Sequence, residues 1–274
     1  MTRLVFHKMH GLGNDFVLID ERAASHRLTV EQLTHLADRR IGVGCDQVLV
    51  IGSPSNNHAQ VSYRIYNADG SSAEHCGNGI RCVGRYLQGE EPHARTYRVE
   101  VGDEIADIEM HADGMVSVDM GVPDFRPAQI PLSVEHEQDE YALRLDCGEV
   151  AFGAVSMGNP HAVIEVDALD DAILEVAPGL QQSSLFPEQA NIGFMKILDR
   201  EHIDLRVYER GVGETLACGT GACAAVAVGQ RWERLGRSVE VSLPGGRLQI
   251  NANDNGRVLM TGPANYVFKG EIDL

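Results

Sequence analysis

The chain has 274 residues, 43% hydrophobic and 23% charged, with a net charge of −17 and a pI near 5.0. Those proportions suit a globular protein with a real core, in one large domain or two of about 130 residues. The acidity, unrelieved by any basic cluster, argues against nucleic acid and anionic membrane surfaces as partners, and no run of about 18 apolar residues offers a membrane span.

In chain order, LVFHKM (4–9) and DFVLID (15–20) read as strands. Thr29 with Gln32 makes a capping box for a helix that turns Val30, Leu33, Leu36 and Ala37 inward. VLVI (48–51) and VSYRIYN (61–67) are further strands, and after Cys76 the residues Ile80, Val83, Gly84 and Leu87 follow helical spacing. YRVEV, IADIEM and MVSVDM form a meander with turns at Gly102 and at Asp113-Gly114. GVPDFRP then marks a boundary near 118–125. The order repeats with strands at AFGAVS and HAVIEV, a helix near 170–177, and strands at NIGFMKIL and IDLRVYE. A Gly/Ala-rich helix over 219–235 follows Cys218, short enough in its side chains to be enclosed by sheet; VEVSL and RLQI follow as strands. The last strand, NYVFKGEIDL, returns to the first half.

That repetition is visible in the residues. RIYNADGSSAEHCGNG (64–79) and RVYERGVGETLACGTG (206–221) align without a gap, 142 residues apart, and GNDFVLID echoes GNPHAVIEVD. The expected architecture is α+β, in two pseudo-symmetric halves, each a mixed, mostly antiparallel sheet wrapped around a central helix. The halves span 1–119, joined by the strand 265–274, and 120–264.

The repeat singles out two of the six cysteines. Cys76 and Cys218 each open a helix with a Cys-Gly-x-Gly, so each lies at a helix N-cap, where unpaired N–H groups favour a thiolate and can hold an anion. Cys82 and Cys223 are rotated by about 120° and 140° from them around the helix, which argues against a zinc knuckle or an intra-helical disulfide. Cys45 and Cys147 read as packing residues. Lys8 and two histidines occupy the first residues where a signal peptide needs an apolar stretch, so a cytoplasmic location with reduced thiols is expected. Two symmetry-related thiols suit inversion of a stereocentre, one removing the α-proton while the other delivers a proton to the opposite face, with their titrations coupled.

HKMHGLGNDFVLID, GVGCDQVL, YNADGSSAEHCGNGIRC, SMGNPHAVIEV, ANIGFM and VYERGVGETLACGTGACAAVAVG together resemble the diaminopimelate epimerase family, across residues 7 to about 229. The resemblance implies interconversion of LL- and meso-diaminopimelate, a small-molecule substrate, without pyridoxal phosphate or metal, on the route to lysine and peptidoglycan. It implies an active site in the cleft between the halves and a homodimer, with Phe268 as an apolar anchor. By the same resemblance Cys76 is the proton donor and Cys218 the acceptor in the LL-to-meso direction, and His161 and Glu209 tune the thiols. Gly77 with Asn78, and Gly219 with Thr220, match the backbone cradles at the reacting centre. Asn14, Gln47, Asn67, Asn159 and Asn191 match amides that contact substrate, and Glu209 and Arg210 match the pair at its amine and carboxylate groups.

A neutral, amide-rich pocket with one Arg and one Glu suits a substrate bearing two ammonium–carboxylate ends. A proline-racemase-like or hydroxyproline-type epimerase would use the same two cysteines, but its singly zwitterionic substrate would not need Arg210 and several amides. A thiol redox enzyme would cycle Cys76 and Cys218 through a disulfide. A non-catalytic relative would have lost one of the two.

Overall fold

The computed structural model of the chain describes residues 3–23, 27–73, 76–102, 104–145 and 148–274; Cys147 lies outside them. The first part of the chain forms β1 (Arg3–Gly11), β2 (Asn14–Asp20), α1 (Val30–Ala37), β3 (Gln47–Gly52), β4 (Val61–Asn67), α2 (Gly77–Glu90), β5 (Thr96–Val101), β6 (Glu104–Met110) and β7 (Val116–Asp119). Then come β8 (Tyr141–Leu145), β9 (Gly148–Ser156), β10 (Pro160–Glu165), α3 (Val176–Gln181), β11 (Asn191–Ile197), β12 (His202–Glu209), β13 (Gly213–Thr215) and α4 (Gly219–Arg231). β14 (Ser238–Leu243), β15 (Gly246–Ala252), β16 (Val258–Gly262) and β17 (Asn265–Asp273) end the chain. The fold is sheet-dominated α+β, and it divides into two compact units, Met1–Asp119 with Thr261–Leu274, and Met120–Met260.

In the first unit the strands lie in the order β17-β1-β2-β3-β4-β5-β6-β7. All neighbours are antiparallel except β2 with β3 and β4 with β5. The second unit repeats this scheme as β8-β9-β10-β11-β12-β14-β15, parallel only at β10 with β11 and β12 with β14. α2 packs on β1, β2, β6, β7 and β17; α4 packs on β9, β10, β11, β12 and β15. Small side chains make this enclosure work. Every residue of α4 from Gly219 to Gly229 is buried, and in α2 a Cβ at Gly79 would lie 2.4 Å from the Tyr63 hydroxyl and one at Gly84 2.7 Å from Ile108.

The capping box on α1 forms as the sequence predicts, and Leu33, Leu36 and Ala37 are buried. Val30 is not: it is 60% exposed. As the first helical residue it lies beside the turn at Gly70, whose Cβ would meet its Cγ1 at 2.8 Å, and it covers that turn rather than the core. The helix expected near 170–177 is a 3-10 turn, Asp171–Glu175, running into α3. Pro178 has no N–H to give and is accommodated in the first turn of α3, which places the start of regular helix at Val176. The helix after Cys218 stops at Arg231, short of 235: Glu233 takes a left-handed conformation (φ 58°), and Leu235 folds back so that its N–H reaches Gly229 O at 3.1 Å.

Candidate active site

Both Cys-Gly-x-Gly cysteines are helix N-caps with extended backbone, Cys76 at φ −119°, ψ 109° and Cys218 at φ −115°, ψ 111°. Cys218 comes three residues after the end of β13 and Cys76 nine after the end of β4, and glycine follows each cysteine directly. Gly77, Asn78, Gly219 and Thr220 form the buried first turns, so their backbone N–H groups belong to the set that a helix leaves without internal partners. Cys82 and Cys223 are buried within their helices, and burial pushes the Cys82 thiol up to about 12. Cys45 is buried too and pushed up to about 12 by the same cause. None of the described cysteines is in a disulfide.

In the first unit, β2 and β3 begin and antiparallel β4 ends at one edge of the sheet. Asn14, Gln47 and Asn67 occupy those three positions. Gln47 and Asn67 are register partners, and Gln47 Nε2 donates to Asn67 Oδ1 at 3.0 Å. Asn67 Nδ2 donates to Ser71 Oγ at 3.1 Å. Asn14 lies with the cysteine: Cys76 Sγ is 3.7 Å from Asn14 Oδ1, and Asn78 Nδ2 donates to the same oxygen at 3.4 Å.

The second unit places its residues by the same strand logic. Asn159 directly precedes β10, His161 is on it, Asn191 opens β11, and Glu209 closes β12 with Arg210 next. His161 and Asn191 are register partners. Asn191 Oδ1 accepts the Arg210 backbone N–H at 2.9 Å, the Arg210 guanidinium donates to Glu188 O at 3.2 Å, and Glu209 accepts from the Thr215 hydroxyl. His161 Nε2 is 2.9 Å from Asn159 Oδ1, Asn159 Nδ2 is 3.4 Å from Thr220 Oγ1, and that oxygen is 3.5 Å from Cys218 Sγ. Cys218 Sγ also accepts the Gly221 N–H at 3.3 Å. Burial, with the charge of Arg210 adding to it, pushes the His161 imidazole down to about 3, so it works as a neutral hydrogen-bonding ring.

The structure thus brings Cys76, Asn14 and Asn78 into one hydrogen-bonded group and Cys218, Thr220, Asn159 and His161 into another, with Gln47–Asn67 and Asn191–Arg210 at the matching strand ends. Sequence reasoning missed Arg81 and Asp46. Arg81 is fully buried on α2 and donates to Asn78 Oδ1 at 2.7 Å; Asp46 accepts from Asn14 Nδ2 at 3.1 Å. Arg81 sits among Ile80, Cys82 and Val83 and three residues after Asn78, a spacing that shares a helix face, and that was the available signal. Among the described residues no three His, Cys, Asp or Glu side chains group so as to hold a metal ion, and no helix is long and apolar enough to cross a membrane.

The chain matches the family described as Diaminopimelate epimerase over residues 6–126 and 153–267. It is 50% identical to the diaminopimelate epimerase of Halorhodospira halophila, over 98% of this chain and 95% of that one. It is 48% identical to the diaminopimelate epimerase of Teredinibacter turnerae, over 99% and 100%. Among solved structures it is similar to a hydroxyproline epimerase from Agrobacterium vitis, with a TM-score of 0.73 at 13% identity over 99% and 91% of the two chains. A phenazine biosynthesis protein of the PhzF family from Bacillus anthracis gives a TM-score of 0.68 at 17% identity over the full length of both. Likeness at such low identity is a likeness of fold.

Proposed function

Because this chain belongs to the diaminopimelate epimerase family, we propose that it interconverts LL- and meso-2,6-diaminopimelate through a thiolate and a thiol, in lysine and peptidoglycan-precursor biosynthesis. The observation that carries the reading is the pair of equivalent N-caps, one sulfur on each enclosed helix with glycine beside it. In the LL-to-meso direction the Cys218 thiolate takes the α-proton, the electron pair left on carbon delocalises toward the α-carboxylate, and the Cys76 S–H delivers its proton to the opposite face. The reverse reaction exchanges the two roles. Backbone N–H groups at Gly77 and Asn78, and at Gly219 and Thr220, stabilise the charge that builds on the carboxylate.

Asn14, Gln47, Asn67, Asn159 and Asn191, with Glu209 and Arg210, supply directional contacts for the amine and carboxylate groups of a doubly zwitterionic substrate. His161 and Glu209 tune the thiols. In this reading the protein works in the cytoplasm, without pyridoxal phosphate or metal, and as a homodimer. Exposed Val5, Tyr266, Val267 and Phe268 on β1 and β17 support the dimer, which sedimentation at micromolar concentration tests: a monomer there removes that part.

The activity is tested by incubating the reduced protein with LL-diaminopimelate in D2O and no added cofactor. The expected result is α-deuteration with formation of the meso isomer. Absence of exchange, or exchange with proline or hydroxyproline in its place, overturns the assignment.

A further inference from the structure

Four side chains of the first unit form a hydrogen-bonded chain whose direction is fixed at both ends. Arg81 donates from Nη2 to Asn78 Oδ1 at 2.7 Å. A guanidinium has no acceptor, so the Asn78 amide must turn its oxygen toward Arg81 and its NH2 away. That NH2 donates to Asn14 Oδ1 at 3.4 Å. At the other end Asn14 Nδ2 donates to Asp46 Oδ2 at 3.1 Å, and a carboxylate can only accept. Asp46 is itself held by Arg39 at 2.7 Å and by the Asp15 N–H at 3.0 Å. Flipping the Asn14 amide would set its NH2 against that of Asn78 and its oxygen against the carboxylate, so its orientation is locked.

The locked oxygen is the one 3.7 Å from Cys76 Sγ. Lone pairs facing the sulfur are satisfied by an S–H and repelled by a thiolate. The second unit presents the other polarity to its own sulfur: Cys218 accepts the Gly221 N–H, and Thr220, whose oxygen already takes the Asn159 NH2, has its O–H to give.

We propose that the Arg81–Asn78–Asn14–Asp46 chain holds the resting proton on Cys76 and leaves Cys218 as the thiolate, with Arg81 and Asp46 acting as positioning residues through the Asn14 amide. This rests on the reading of the two cysteines as the acid–base pair. Two described side chains near Cys76 in its own unit carry no charge to set against this preference. Tyr63 of β4 is pushed well above its ordinary value, chiefly by burial and further by Cys76 and Cys82, and Cys82 of α2 is pushed up by burial, so both stay neutral. Lys8 and Arg39 are balanced by Asp15 and Asp46. The Arg81 guanidinium donates to Asn78 Oδ1, Gly77 O and Pro263 O, and its charge acts on Cys76 alike in the unaltered protein and in the Asp46 and Arg39 variants below.

The test follows alkylation by iodoacetamide against pH on the reduced, substrate-free protein, with each cysteine read separately by peptide mass spectrometry. Cys218 is expected to show a midpoint at least about one pH unit below that of Cys76. Asp46→Ala releases the Asn14 amide and is expected to lower the Cys76 midpoint by about one unit, tenfold more thiolate at neutral pH, with Cys218 unmoved. Arg39→Gln removes a neighbouring charge but keeps the acceptor, and is expected to leave both midpoints in place. A lower midpoint for Cys76 in the unaltered protein overturns the proposal. So does an unmoved Cys76 in Asp46→Ala, or an Arg39→Gln shift equal and opposite to that of Asp46→Ala, which marks a plain charge effect. Deuteration of diaminopimelate, run in parallel, separates the two readings. Deuteration with the midpoints reversed strikes only the proton assignment, and no deuteration with the midpoints in order strikes only the epimerase reading.

Discussion

Cys76→Ala and Cys218→Ala should each lower inversion of LL-diaminopimelate by about three to four orders of magnitude, the upper range for loss of a positioned acid or base. The argument is stereochemical. Each cysteine is the N-cap residue of its own helix, and neither Cys82 nor Cys223 can stand in, because both are buried on other faces of those helices. A protein left with one thiol can take a proton and return it to the same face, which exchanges hydrogen without inverting the centre. Chiral separation of the diaminopimelate isomers, run beside deuterium incorporation, reads the two processes apart. Near-normal inversion by either variant would end the two-base reading.

The second large effect concerns stability. His161 is 1% exposed, and burial, followed by the Arg210 charge, pushes it down to about 3, whereas the unfolded chain titrates at the ordinary 6.5. Between those values the unfolded state binds a proton that the folded state refuses. The contribution is therefore fully present above pH 6.5 and is lost as the pH falls toward 3, at up to about 1.4 kcal/mol per unit. Urea unfolding between pH 6.5 and 4.5 should show a loss on the order of 2 to 3 kcal/mol from this one ring, in a window above the ordinary carboxylate range. His161→Gln should flatten that slope. An equally steep slope in the variant would place the acid sensitivity elsewhere.

Much of the fold was legible because its local signals agree with its tertiary contacts. The period-two strands, the Thr29–Gln32 box, and the Gly/Ala run of α4 each specify one outcome, and the repeat of the Cys-Gly-x-Gly motif gives the two N-caps together. Where local and tertiary signals part, the pattern misleads. Val30 has the spacing of a core residue, but at the first helical position it reaches only the turn at Gly70. A helical reading across 170–177 could not foresee that Pro178 divides the segment into a 3-10 turn and a short helix.

The candidate site was legible at its motif residues and silent on what orients them. Asn14 and Asn78 can be picked out of their motifs, yet the direction of their amides depends on Arg81 and Asp46, which come from α2 and from the loop before β3. Arg81 aligns with Cys223 across the repeat, so the symmetry that exposed the two sulfurs hides the difference between their surroundings.

The pairing of β17 with β1, from Arg3 with Asp273 to His10 with Asn265, has a consequence in time. The unit carrying Cys76 is assembled from both ends of the chain, whereas Met120–Met260 is continuous. As the polypeptide emerges during synthesis, the whole of the continuous unit exists before the strand that closes the other one, and contacts spanning nearly the full length are among the slowest to form. The sheet around the helix of Cys218 can therefore be complete while the one around the helix of Cys76 still lacks β17.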